Sequence, residues 1–217
     1  MLTLLKKEFI LELRRKSVIA GLVVYLLSTT FICYITFTLR GNTLSPLVWS
    51  ALFWITVLFT SIHSIAKSFI GEKRGADIYL YSLLDPHLII LSKILYNFIL
   101  CTLLSTACMG LFMLFFGNPI EDIGMFLVVL FLASFGFSAS LTMLSGIAAR
   151  ANNSGILMPV LSFPVIISVL LLVIKLTKNC IDGLDRSVSQ QDLITLVAIN
   201  CLVTALSYIL FPYIWRS

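Results

Sequence analysis

The sequence predicts an all-α integral membrane protein: six transmembrane helices preceded by an interfacial amphipathic helix. Three observations carry this. The 217 residues are 59% hydrophobic and only 12% charged, with a mean hydropathy of +1.06, against roughly 25% charged residues in a soluble domain. Polar side chains are too few to cover a water-facing exterior, which excludes a soluble enzyme. The apolar residues fall into runs of the ~20-residue length that crosses a bilayer as a helix, and these runs are apolar all round. A lipid-facing β-barrel would alternate with period two instead.

The N-terminal segment differs in pattern from the apolar runs. Leu2, Leu5, Phe9 and Leu13 recur at helical spacing, while Lys6, Lys7, Glu8, Glu12, Arg14 and Arg15 supply charge. A helix lying in the headgroup plane would bury the stripe and offer its cations to anionic lipid. The first apolar run, 18–39, is longer than the roughly 7–15 residues of a signal-peptide core, and its exit through Thr38, Leu39 and Arg40 has no small-x-small cleavage site. It is read as an uncleaved span. The remaining spans are 46–66, 94–116, 123–149, 155–174 and 193–214. Six crossings fill the length, so residues 1–217 are expected to form a single membrane domain.

Residues 67–93 form the largest connection on the side of the termini. Lys67, Glu72, Lys73, Arg74, Asp77 and Lys93 frame the apolar patch Ile78 to Leu84, a mixture that suits docking on a soluble partner. Gly71 and Gly75 permit a bend. Asp85-Pro86 is read as the end of a helix, because proline disfavours helical geometry in the residue before it. The alternative is a solvated connector.

The fourth span is rich in small residues. Ser134 with Ser138, and Gly136 with Ser140, have the one-turn spacing that lets helix backbones approach closely; whether the partner helix is in the same chain or a second copy stays open. The fifth span contains Pro159 and Pro164, each lacking a donor and crowding the carbonyl one turn back, so kinks are expected. A 175–192 connection comes next, on the outer side. Cys180 is placed in it, and the other cysteines, Cys33, Cys101, Cys108 and Cys201, lie in apolar stretches with no zinc-type spacing.

Orientation is set by Lys and Arg. One side carries Lys6, Lys7, Arg14, Arg15, Lys16, Lys67, Lys73, Arg74, Lys93, Arg150 and Arg216; the other carries only Arg40, Lys175, Lys178 and Arg186. Both termini are therefore expected in the cytoplasm. The net charge of +5 records topology, and nucleic acid is not an expected partner, since that would require a basic soluble surface.

Carboxylates lie at the ends or in the connections of these spans, which disfavours proton- or sodium-coupled transport. No HExxH, GxSxG or Walker A sequence is present, so catalysis is not expected here and ATP would have to act through a separate subunit. The 67–93 connection is the best candidate for that contact. Axial haem ligation needs His, Met, Cys or Tyr in an apolar slot. His63 is the residue carried forward as a haem-ligand candidate, with hydrogen bonding to its surroundings as the plainer role; His87 reads as a partner contact and the scattered methionines as packing. Neither a resident cofactor nor a metal is expected.

The start LLKKEFILELRRK, the six spans, the connection FIGEKRGADIYLYSLLDPHLIILSK and the stretch ARANNSGILMPVLSFPVIISVLLL together resemble the haem exporter protein B family. This is the permease of the bacterial cytochrome c maturation system, related to type-2 ABC exporter permeases. The resemblance covers nearly the whole chain. It implies an inner-membrane permease working with a cytoplasmic ABC ATPase and other cytochrome c maturation membrane subunits, with haem as cargo and ATP on the partner. It also implies that Glu72, Arg74, Gly75, Leu84, Asp85 and Pro86 belong to the ATPase-coupling connection, and that Arg150, Gly155, Pro159 and Pro164 form the basic-Gly-Pro-Pro stretch entering the fifth span. A second permease copy is an expected companion. Two alternatives stay open: a permease for another amphiphile, such as a lipid-linked glycan or drug-like molecule, and a non-transporting scaffold.

Overall fold

Every long apolar run is helical in the computed structural model, which describes residues 2–14, 16–39, 45–66, 85–149 and 154–216. The helices are α1 (Leu2–Arg14), α2 (Lys16–Leu39), α3 (Pro46–Ile65), α4 (Pro86–Phe116), α5 (Ile123–Ala149), α6 (Ser154–Ile181) and α7 (Arg186–Arg216). There is no strand among the described residues. Helices α2 to α7 each contain a stretch long and apolar enough to cross a membrane, so successive connections alternate between the two ends of the bundle.

Three boundaries differ from the hydropathy reading. The third span begins at Pro86, not residue 94; the fifth continues to Ile181, past residue 174; the sixth starts at Arg186 instead of residue 193. The outer connection thus shrinks from 175–192 to 182–185, and Cys180 sits inside α6 at 2% exposure. Hydropathy falls where side chains leave the hydrocarbon, but the helix continues, because backbone hydrogen bonding does not depend on which solvent the side chains meet. At 31 residues each, α4 and α7 are about 46 Å long.

Proline also marks starts. Ser45 caps α3 and Asp85 occupies the cap position of α4 in extended geometry, with Pro46 and Pro86 in the first turn. Asp85-Pro86 therefore opens a helix; the helix end expected at the same place falls on residues outside those described. The constraint that a proline places on the preceding residue is the same in both cases, and the ring's fixed φ is compatible with the first helical position. Within α6 the helix runs unbroken through Pro159 and Pro164.

The centre of the bundle is α5, which packs against α3, α4, α6 and α7. Its small residues make this possible. Ser134 Oγ donates to Ser105 Oγ on α4 at 3.2 Å. A Cβ on Gly136 would run into the side-chain amide oxygen of Asn200 on α7 and lie 3.4 Å from Val169 on α6. Asn200 Nδ2 in turn donates to the Leu132 carbonyl at 2.9 Å. Ser138 and Ser140 are buried, the former donating to Phe135 O. All these neighbours lie in the same chain. Between α3, α4 and α5 sits an aromatic cluster in which Trp49 stacks on Phe53 at 5.3 Å and meets Phe112 edge-on; Trp54 Nε1 reaches Thr177 Oγ1 on α6 at 2.8 Å.

The end away from α1 is closed by polar contacts. Gly117 (φ 79°) ends α4, and the amides of Glu121 and Asp122 donate to the Cys180 carbonyl at 3.2 and 3.1 Å. Asp122 accepts two hydrogen bonds from Arg186, at 2.7 and 3.0 Å, and one from the Met125 amide. The Arg186 guanidinium, followed by that amide, holds the Asp122 carboxyl down at about 2. This ties the start of α5 to the start of α7.

Gly136→Ala is expected to destabilise the bundle by about 1–3 kcal/mol through overpacking, read as a lower thermal midpoint in detergent. Combined with Asn200→Ala, it should cost less than the sum of the two single substitutions; strict additivity would show that the two positions do not meet.

Candidate functional site

The chain enters the 67–84 connection from Ala66 and leaves it at Asp85. Both flanks of that connection are well defined. Ala66 caps α3 through its amide to Ile62 O, and its carbonyl accepts from Ser145 Oγ of α5 at 3.4 Å. On the other flank the first turns of α4 are tied to three other helices.

The tie to α1 is ionic and aromatic. Lys93, assigned by sequence to the 67–93 connection, lies on α4 at 1% exposure, its Nζ 3.4 Å from Glu8 Oε1. Lys7 flanks the same carboxylate at 3.9 Å. Beside this pair, Phe9 meets Tyr96 edge-to-face at 5.1 Å. A buried ammonium is costly unless a counter-charge comes with it; Glu8 is that counter-charge, so α1 is placed against α4 by a specific contact as well as by amphipathicity.

The tie to α7 repairs a backbone defect. Pro212 lies inside α7 and has no N–H, which leaves the Tyr208 carbonyl without its usual donor. His87 Nδ1 takes that place at 3.1 Å, and its ring stacks on Tyr208 at 4.2 Å. The ring therefore carries its proton on Nδ1 in this contact. His87, read from sequence as a partner contact, is engaged within its own chain. Behind it, Ile89, Ile90 and Ile94 pack with Ala139 of α5 and Phe211 of α7 as a small second core. Asn97 adds a hydrogen bond to Thr142 of α5 at 2.8 Å.

No three His, Cys, Asp or Glu side chains converge as metal ligands among the described residues. His63 is exposed on α3, its ring 5.6 Å from that of Tyr25 on α2. The chemistry of the site is mechanical: it joins a connection to helices.

The family model described as CcmB protein matches residues 1–213. The chain belongs to the CcmB family. It is accordingly the permease subunit of the haem exporter ABC complex of cytochrome c maturation, a multi-pass membrane protein that works with the ATPase subunit of that complex. No curated protein and no solved structure matches the chain.

Of the residues that the CcmB resemblance marked, Asp85 and Pro86 are the first of α4. Glu72, Arg74, Gly75 and Leu84 lie outside the described residues, as does Arg150. Gly155, Pro159 and Pro164 fall in the first half of α6, where the side chains of residues 154–159 are also outside the description. Sequence reasoning missed Glu8–Lys93 and His87–Tyr208. Half of the second was available: Pro212 four residues after Tyr208 announces an unpaired carbonyl, although nothing local names its donor.

Glu8→Gln is expected to destabilise the protein by about 3 kcal/mol, because it takes a carboxylate away from a buried ammonium. Adding Lys93→Met should recover most of the loss, measured by thermal unfolding of the detergent-purified chain.

Proposed function

We propose that this permease subunit is driven through residues 67–85, which receive the movement of the cytoplasmic ATPase and deliver it to the base of α4. One observation carries the reading. The first turns of α4 are bound to α1 through Glu8–Lys93 and to α7 through His87–Tyr208 O, so a push on Asp85-Pro86 moves three helices together. Glu72, Arg74 and Gly75 supply the charged, bendable contact; Leu84, Asp85 and Pro86 hand it to the helix. Arg150, Gly155, Pro159 and Pro164 form the segment of the fifth span that yields, since each proline removes a backbone hydrogen bond from it. The buried small residues of α5, Ser134, Gly136, Ser138 and Ser140, give the helices a surface along which to readjust.

In this reading both termini and the 67–85 connection face the cytoplasm of a bacterial inner membrane, in keeping with the distribution of Lys and Arg. The 1–217 chain acts as one unit, beside a second permease copy and other membrane subunits of the maturation system. Haem is cargo, either carried across or released from a loaded chaperone, and is not a resident cofactor. ATP is hydrolysed on the partner. His63 is left to its aromatic contact.

Reversing charge at Glu72→Lys with Arg74→Glu should abolish co-purification of the ATPase while membrane insertion stays normal; unchanged co-purification would count against the coupling assignment. Deleting the chain should abolish covalent haem attachment to exported c-type cytochromes. Intact attachment would move the cargo to another amphiphile.

A further inference from the structure

Where α4 begins and α7 ends, a cleft of about 370 Å³ opens at the surface. His87 from the first turn of α4 lines it, together with Tyr208, Ile209, Pro212 and Tyr213 from the last turns of α7. The volume falls within the roughly 300–1,000 Å³ of small-molecule sites. Tyr208, Ile209 and Tyr213 are 43%, 58% and 74% exposed, so this end of α7 presents aromatic and aliphatic surface beside a single imidazole.

The backbone defect at Pro212 sets the state of that imidazole. A carbonyl can only accept, so the contact with Tyr208 O fixes the ring proton on Nδ1 and leaves the lone pair of the neutral ring on Nε2. Nε2 has no hydrogen-bond partner among the described residues. The stack on Tyr208, at 4.2 Å with 26° between the planes, holds the ring in place. A metal-ligating histidine is oriented in the same way, by donating its other ring N–H to a carbonyl or carboxylate.

A bare metal ion draws about three or four protein ligands, and no such group of His, Cys, Asp and Glu converges among the described residues. Haem differs: its iron is already held in the plane of the macrocycle and takes an axial ligand from the protein, in apolar surroundings. We infer that this cleft is a docking site for the haem cargo, in which the Nε2 lone pair of His87 takes an axial position on the iron in place of water, and Tyr208, Ile209 and Tyr213 lie against the macrocycle. The inference rests on the reading of haem as cargo. One protein ligand in an open cleft suits a molecule that has to leave again. The ligand is also the residue that joins the base of α4 to α7, so a movement that draws His87 away from Tyr208 carries the iron ligand with it.

The test is titration of ferric haem into the full chain in lipid nanodiscs, followed through the Soret band and, after reduction with dithionite, the ferrous spectrum. The wild type should give the spectrum of an imidazole-ligated haem, above the background of empty nanodiscs. His87→Asn keeps an amide N–H near the place of Nδ1, and with it the bond to Tyr208 O, but has no counterpart of Nε2. It should lose that spectrum and bind roughly tenfold more weakly, whereas His63→Asn should match the wild type. A second readout uses the unaltered chain: ferric haem should protect His87, and not His63, from acylation by diethyl pyrocarbonate, mapped by peptide mass spectrometry. A wild-type spectrum and affinity in His87→Asn, loss of both in His63→Asn, or labelling of His87 undiminished by haem overturns the proposal. The cargo reading is decided separately, by covalent haem attachment in cells lacking the chain. Attachment lost there, with ligation unchanged in His87→Asn, would sink the docking site and leave the cargo assignment standing.

Discussion

A helix end or an internal proline leaves backbone groups unpaired, and meeting that need accounts for several of the polar contacts of the protein. Where the chain interrupts its own helical hydrogen bonding, a side chain or a neighbouring loop makes up the loss. The Tyr208 carbonyl, deprived by Pro212, is met by His87. The Cys180 carbonyl at the end of α6 takes the amides of Glu121 and Asp122. Asp122 itself accepts from the first turn of α5. The first two of these repairs join elements distant in sequence, so local backbone necessity produces tertiary connection.

The other determinant is how closely backbones approach around α5. Gly136 leaves room for Asn200, and Asn200 commits its amide to the Leu132 carbonyl. Inside lipid there is no hydrophobic gain in bringing two apolar helices together, so contact depends on close packing and on such interhelical hydrogen bonds. The helices with the most outward surface, α2 and α7, instead present Val24, Phe31, Ile32, Ile194, Leu202 and Ile209, side chains suited to lipid or to another subunit.

Much of this was legible in the sequence. Six spans and an amphipathic start are readable from hydropathy, because the bilayer imposes a length and an all-round apolarity that few other environments require. Helix ends were not legible, because hydropathy reports where side chains meet water and not where backbone bonding stops; Lys175, Arg186 and Asp192 are helical despite their charge. That Asp85-Pro86 also opens a helix was not read, because proline punctuates both ends of helices. Lys93 was assigned to the 67–93 connection because its partner, Glu8, is separated from it by two whole spans. At the candidate site the charged connection stood out by composition, whereas the contacts that anchor its far side are long-range and have no local signature. The small-residue face of α5 was visible as a pattern, but its neighbours on α4, α6 and α7 became known only from the fold.

The length of α4 and α7 has a further consequence. Two rods of about 46 Å in a hydrocarbon layer of about 30 Å must tilt or protrude, and the choice depends on the thickness of the surrounding lipid. Both rods meet at His87 and Tyr208, so a change in tilt of one is shared with the other. Bilayer thickness thereby becomes a mechanical load on the permease, set by the acyl chains of its host membrane.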